Sequence, residues 1–158
     1  MTGRLTDLGW SAPARRVDAN SARRGIVWQH ERIRALLERA RAVAEARLDS
    51  EEPASEAVAS AIGDLRSTME VHFTYEETVL LPLWRADATG EGAHRVHRLI
   101  DEHRHQRGML EALHQEAGAH PELPTLATKL AFLASWLLAD MAEEERALAE
   151  MQGGEGQG

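Results

Sequence analysis

The chain has 158 residues, enough for one domain with a sizeable core, and no cysteine, which excludes disulfides, thiolate zinc sites and cysteine-ligated iron–sulfur clusters. A net charge of −8 with histidine neutral argues against nucleic acid as a partner. Ala, Leu, Glu and Arg dominate and aromatics are 4% of the chain, a composition that favours helix over strand.

Residues 1–20 carry Gly, Pro, scattered Leu and Trp10, and read as an arm laid on the body through Leu8 and Trp10. A first helix is expected from about Ser21 to Leu48, with Ile26, Ile33, Leu37 and Ala40 at helical spacing. Asp49 to Pro53 ends it, and Pro53 suits the first turn of the next. The second helix is expected to run to Leu81, buried through Val58, Ile62, Leu65, Met69, Phe73 and Leu80, and to end or kink at Pro82. Residues 87–92 read as a loop. The third helix spans about Ala93 to Ala117, with Val96, Leu99, Ile100, Leu110 and Leu113 inward. Gly118 and Pro121 to Pro124 break the chain again. The fourth helix spans Thr125 to about Met151 on Leu126, Leu130, Leu133, Leu137 and Leu148, and residues 152–158 form a flexible tail. Residues 21–151 therefore predict an all-α, antiparallel, up-down-up-down four-helix bundle, with the second and fourth helices parallel and diagonally opposed. Residues 1–16 lack an apolar stretch of signal-peptide length, and the run Leu130 to Ala139 is too short to span a bilayer. The expectation is a cytoplasmic protein with no membrane partner.

One pattern occurs twice, on those two helices. His72-Phe73-Thr74-Tyr75-Glu76-Glu77 and Asp140-Met141-Ala142-Glu143-Glu144-Glu145 both place a ligand-type residue four positions before a glutamate. Residues i and i+4 share a helix face about 5–6 Å apart, so each copy offers two metal-ligand side chains in one direction. Polar residues also interrupt the other stripes. His30 lies between Ile26 and Ile33, and His103 between Leu99 and Leu110. A lone histidine on an apolar face is more often a hydrogen-bonded core residue, and a lone Glu pair a solvated face. Here three histidines and three carboxylates (His30, His72, Glu76, His103, Asp140, Glu144) converge from four helices. Burying unpaired carboxylates costs several kcal/mol each, a cost that bound cations remove. His94, His97 and His105 are rotated away from His103, His114 is three turns on, and His120 is in a loop. Glu77, Glu143 and Glu145 read as exposed, or as hydrogen-bond partners behind the ligands. Tyr75 adjoins Glu76, and Gln106 and Arg107 are placed to hydrogen-bond around the ligands.

The order His30, His72-x-x-x-Glu76-Glu77, Glu102-His103 and Glu144-Glu145 resembles the hemerythrin-like (HHE) cation-binding domain. The stretch His72-Phe73 to Pro82-Leu83 is most like that family's second-helix signature. The resemblance covers about residues 22–151. It implies a bundle around a non-haem di-iron centre, with two iron ions bridged by Glu76 and Glu144 and held by His30, His72 and His103. Zinc or another metal could substitute. Two positions depart from the pattern: Asp140 stands where a histidine is expected, and Leu99 where the oxygen carriers have a second histidine before His103. Carboxylate is a harder ligand than imidazole and favours the ferric state, which disfavours reversible O2 carriage. Chemistry with hydrogen peroxide, O2 or nitric oxide, catalase-like in one form, is the leading expectation. A non-enzymatic iron-binding or iron/oxygen-sensing module is the alternative, and a bundle acting only by interaction is a third. The sequence does not decide whether the protein is an enzyme.

Overall fold

The structure, a computed structural model, describes residues 17–48, 55–86, 90–119 and 122–153. The predicted arm to residue 16, with Leu8 and Trp10, lies outside the described residues, as do Pro53, His120 and the tail beyond 153. Helix α1 spans Ala19–Leu48. It starts two residues before the expected Ser21 because Asp18 caps it. The Asp18 carboxylate accepts from the Ser21 amide at 2.8 Å and from the Ser21 hydroxyl at 2.8 Å.

Helix α2 spans Ser55–Tyr75, and the chain continues through a π-helical turn, Glu76–Leu80, into the short α3, Leu81–Ala86. Pro82 was expected to end or kink this helix, yet the chain stays helical for four residues beyond it. The π register supplies the reason. The Leu81 amide donates to the Glu76 carbonyl, five residues back, and the wider turn relieves the clash of a proline ring with the preceding turn. Thr78 Oγ1 donates to the carbonyls of Thr74 at 2.7 Å and Tyr75 at 3.2 Å, bonding the ladder where its register changes.

Helix α4 spans Gly90–Gly118 and α5 Leu123–Gly153. Both begin earlier than expected. Gly90 to Gly92 are helical rather than loop, and Pro124 sits in the first turn of α5, where its missing amide hydrogen leaves nothing unpaired.

Four long helices pack as an antiparallel bundle: α1 against α2 and α5, and α4 against α2 and α5. Ion pairs record the directions. Arg39 meets Asp64, Arg66 meets Glu111 while Arg107 meets Glu70, and Arg95 meets Glu150 while Lys129 meets Glu116. Helices α2 and α5 thus face each other across the diagonal, as expected. Every apolar position expected to be inward is buried except Ile100, which is half-buried. Helix α5 is long and apolar enough by length and composition to cross a bilayer, but Leu126, Leu130, Leu133 and Leu137 are buried against the other helices.

The core falls into two apolar clusters. The larger holds Ile33, Ile62, Leu65, Phe73, Leu110, Leu130 and their neighbours; the smaller holds Ile26, Leu80, Trp84, Leu99 and Leu148 among others. Between them, each long helix contributes a buried polar residue: His30, His72 with Glu76, His103, and Glu144. Gly25 lets α1 approach closely here, since a Cβ at that position would collide with the Tyr75 phenol. That phenol, considered above as a neighbour of the ligands, packs against the smaller cluster.

Candidate metal centre

Each inward polar residue is held in place by the apolar residues of its own helix. Ile26 and Ile33 flank His30, Met69 and Leu80 flank His72 and Glu76, Leu99 and Leu110 flank His103, and Leu137 and Leu148 flank Glu144. Burying the stripe forces the polar residues inward with it.

The three histidines share one arrangement. His30 Nδ1 lies 2.7 Å from Glu145 Oε1, His72 Nδ1 lies 2.9 Å from Gln29 Oε1, and His103 Nδ1 lies 2.9 Å from Glu77 Oε1. Each partner is an acceptor, so each Nδ1 carries the proton and donates. Each Nε2 is then a bare lone pair directed inward. There they meet carboxylate oxygens: His30 Nε2 to Glu144 Oε2 at 3.2 Å, His72 Nε2 to Glu76 Oε1 at 3.2 Å, and His103 Nε2 to Glu76 Oε2 at 2.8 Å. Lone pairs facing lone pairs in a dry interior repel unless a proton or a cation lies among them. His30 Nε2, Glu76 Oε1 and Glu144 Oε2 are buried without any hydrogen-bond partner. One ligating atom from each of His30, His72, Glu76 and Glu144 lies within 4.8 Å of the others. Nitrogen and oxygen donors at this spacing, with every outer ring nitrogen satisfied, fit a metal cation.

The outer partners are anchored in turn. Arg34 donates to Glu145 and Arg107 to Glu77, each at 2.8 Å, while Arg107 also bonds Glu70. Phe73 packs against His103, with ring centroids 4.5 Å apart and planes tilted by 40°, and the Arg107 guanidinium lies 4.8 Å from the Phe73 ring centre. The His30 and His72 rings meet edge to face at 4.9 Å.

Charge follows burial. Desolvation pushes His72 down to about 3 and also lowers His103, which favours the neutral, ligating form of both rings. Burial, then the Glu144 charge, raises Glu76 well above the usual carboxylate range. Burial also acts to raise Glu144, but its close approach to His30, Glu76 and His72 outweighs that and holds the carboxyl low. Burial beside Glu144 thus favours the protonated form of Glu76. At Glu77 and Glu145 burial is likewise outweighed, there by bonds to a histidine and an arginine, and both carboxyls are lowered.

Asp140 stands apart from the four-residue group. It is half-buried on α5, accepts from Gln106 Nε2 at 2.7 Å, and has the Glu102 carboxyl as a neighbour. Burial and then the Glu144 charge push it up to about 6; burial and then the Asp140 charge push Glu102 up to about 7. His103 also lies outside the group of four but touches it through Glu76. His94, His97 and His105 are exposed, and His105 Nδ1 faces the Asp101 carbonyl. His114 packs beside Gly63, and Glu143 pairs with Arg98. Sequence reasoning missed Gln29 and Arg34. Gln29 lies off the apolar stripe of α1, and only the approach of α2 gives it a histidine to orient.

A family model described as the hemerythrin HHE cation binding domain matches residues 23–151. Neither the curated proteins nor the solved structures yield a match.

Proposed function

Because the chain belongs to the hemerythrin HHE cation-binding domain family, we propose that its buried His/Glu cluster holds two non-haem iron ions and reacts with hydrogen peroxide, O2 or nitric oxide. The observation that carries this reading is the division of Glu76. Its Oε1 faces His72 and its Oε2 faces His103, so one carboxylate serves two separate nitrogen ligands. That is the disposition of a bridging carboxylate between two cations. Glu144 approaches the same space from the diagonal helix and would be the second bridge. His30 and His72 would hold one cation, and His103 with Asp140 the other.

Iron at these positions supplies one-electron chemistry toward small oxygen ligands. The chain contributes the rest. Glu145, Gln29 and Glu77 fix the imidazole tautomers and orientations. The two apolar clusters exclude bulk water from either end. Burial favours the protonated form of Glu76, and cations would displace that proton, so loading should release acid. Three carboxylates against three histidines favour the oxidised state, which suits turnover of peroxide better than carriage of O2.

A second reading keeps the metal but not the turnover. His30, His72, Glu76 and Glu144 alone form a group tight enough for a single ion. A one-metal module whose occupancy controls folding would sense iron rather than use it. Anaerobic iron loading, with metal counting and absorption spectra before and after peroxide, separates the two. Saturation at two ions with a peroxide-dependent spectrum supports the di-iron reading; saturation at one ion or none refutes it.

A further inference from the structure

The Trp84 indole is buried, and its Nε1 has no hydrogen-bond partner. An indole N–H can only donate, so an orphan in a dry core is costly. It lines a cavity of about 20 Å³ together with Leu99, Glu102, Asp140, Glu144 and Ala147. A single water needs roughly 10–15 Å³. Glu144 Oε2, the other orphan on this side, belongs to the candidate metal group. The cavity therefore lies between the residue with the unused donor and a residue at the edge of the centre.

It also communicates with the surface. Arg95, Arg98, Glu143 and Ala147 line both this cavity and a basin of about 500 Å³ along the seam between α4 and α5. Those two helices touch least closely of the four adjacent pairs. The Arg98–Glu143 ion pair bridges the seam between basin and cavity.

The π turn explains why an indole sits there. Eight residues of regular α-helix turn through about 800°, which would leave Trp84 about 80° off the face that carries Glu76. A π turn takes in one extra residue and removes about that difference. Trp84 and Glu76 thus come to the same side of the bundle, one at the cavity and the other in the metal group.

We propose that the α4–α5 seam admits a ligand of two oxygen atoms, of the hydrogen peroxide class, and that the Trp84 N–H holds it beside Glu144. Trp84 acts as a positioning donor for the substrate. Peroxide is one oxygen longer than water, and the opening toward the basin gives the second atom room. The inference rests on the metal reading above, since the ligand is positioned for that centre.

The test uses the full chain loaded with zinc, which binds peroxide without redox turnover. The indole N–H resonances of the 4 tryptophans are followed by NMR as hydrogen peroxide is added. One resonance, identified by its loss in Trp84→Phe, should shift saturably while those of Trp10, Trp28 and Trp136 stay in place. Ala147→Leu fills the cavity from α5 while keeping both the indole and Glu144, and should weaken the effect by roughly tenfold or more. In the iron-loaded protein, Trp84→Phe should raise KM for peroxide roughly threefold to tenfold at unchanged iron content, as loss of one hydrogen bond implies. A Trp84 resonance that does not move although zinc is bound at full stoichiometry overturns the proposal and marks the cavity as a structural-water site. An equal shift in Ala147→Leu overturns it too. Failure of zinc and iron to bind at all refutes the metal reading, and this inference falls with it.

Discussion

Gln106 donates from Nε2 to Asp140 Oδ2 at 2.7 Å, tying a half-buried carboxylate of α5 to α4 one turn beyond His103. Asp140 is thus bound from α4 before any cation arrives, in the place where the family pattern expects a histidine. If it also ligates the second metal, Asp140→Ala should lower retention at one of two positions and leave the other. Metal counts after dialysis against a weak chelator would decide. Unchanged affinity and spectrum would show that this carboxylate serves only Gln106 and Glu102.

The same residue makes a pH prediction for the metal-free protein. Burial, then the Glu144 charge, raises its carboxyl from 3.8 to about 6 on folding. A raised carboxyl stabilises the fold while it is protonated, and that contribution is lost as pH climbs through the folded value. Asp140→Asn stays uncharged throughout. It should match the parent near about pH 4 and exceed it by on the order of 1–3 kcal/mol at about pH 7. Denaturant melts at the two pH values test this; a larger gain at the lower pH would contradict it.

Glu76→Ala and Glu144→Ala should each abolish paired metal binding, because Glu76 approaches both His72 and His103 while Glu144 reaches His30 from the diagonal helix. His94→Ala and His105→Ala should load iron like the parent, since both side chains are exposed. Iron stoichiometry by elemental analysis is the measurement. Equal loss in His105→Ala and Glu76→Ala would mean that the site lies elsewhere.

Gln29→Leu and Glu77→Ala remove the acceptors of His72 Nδ1 and His103 Nδ1. Each ring then loses the bond that fixes its tautomer, and metal affinity should fall roughly 10- to 100-fold. Competition titrations with a chromophoric chelator read this directly. Ring-nitrogen NMR of the metal-free variants should show the proton redistributed between Nδ1 and Nε2.

Leu65→Ala opens a hole in the larger apolar cluster and should cost about 2–5 kcal/mol of stability. Val71, two-thirds exposed on the same helix, should tolerate alanine within about 0.5 kcal/mol. Urea melts of metal-free protein compare the two. Similar losses would place the core boundary of α2 wrongly.

Much of this molecule was legible along the chain because helical burial is periodic. Residues such as Met69, Phe73 and Leu80 fix which way a helix faces, and a polar residue within that stripe must turn inward with it. That local constraint set the four-helix class and the inward position of His30, His72, Glu76, His103 and Glu144, and the short connections set the antiparallel order. It could not set what depends on a neighbouring helix. Gln29 looks like surface until α2 brings His72 against it. The Asp140 carboxylate points at Gln106 and Glu102 because α4 offers them, although its i+4 relation to Glu144 holds on any straight helix. Pro82 reads as a helix end by its own chemistry, but the π turn before it absorbs the ring and carries Trp84 round to the centre. The periodic pattern of the sequence determined which faces are buried; only tertiary packing decided which donors, acceptors and cavities meet there, since those pairings lie between residues far apart in the chain.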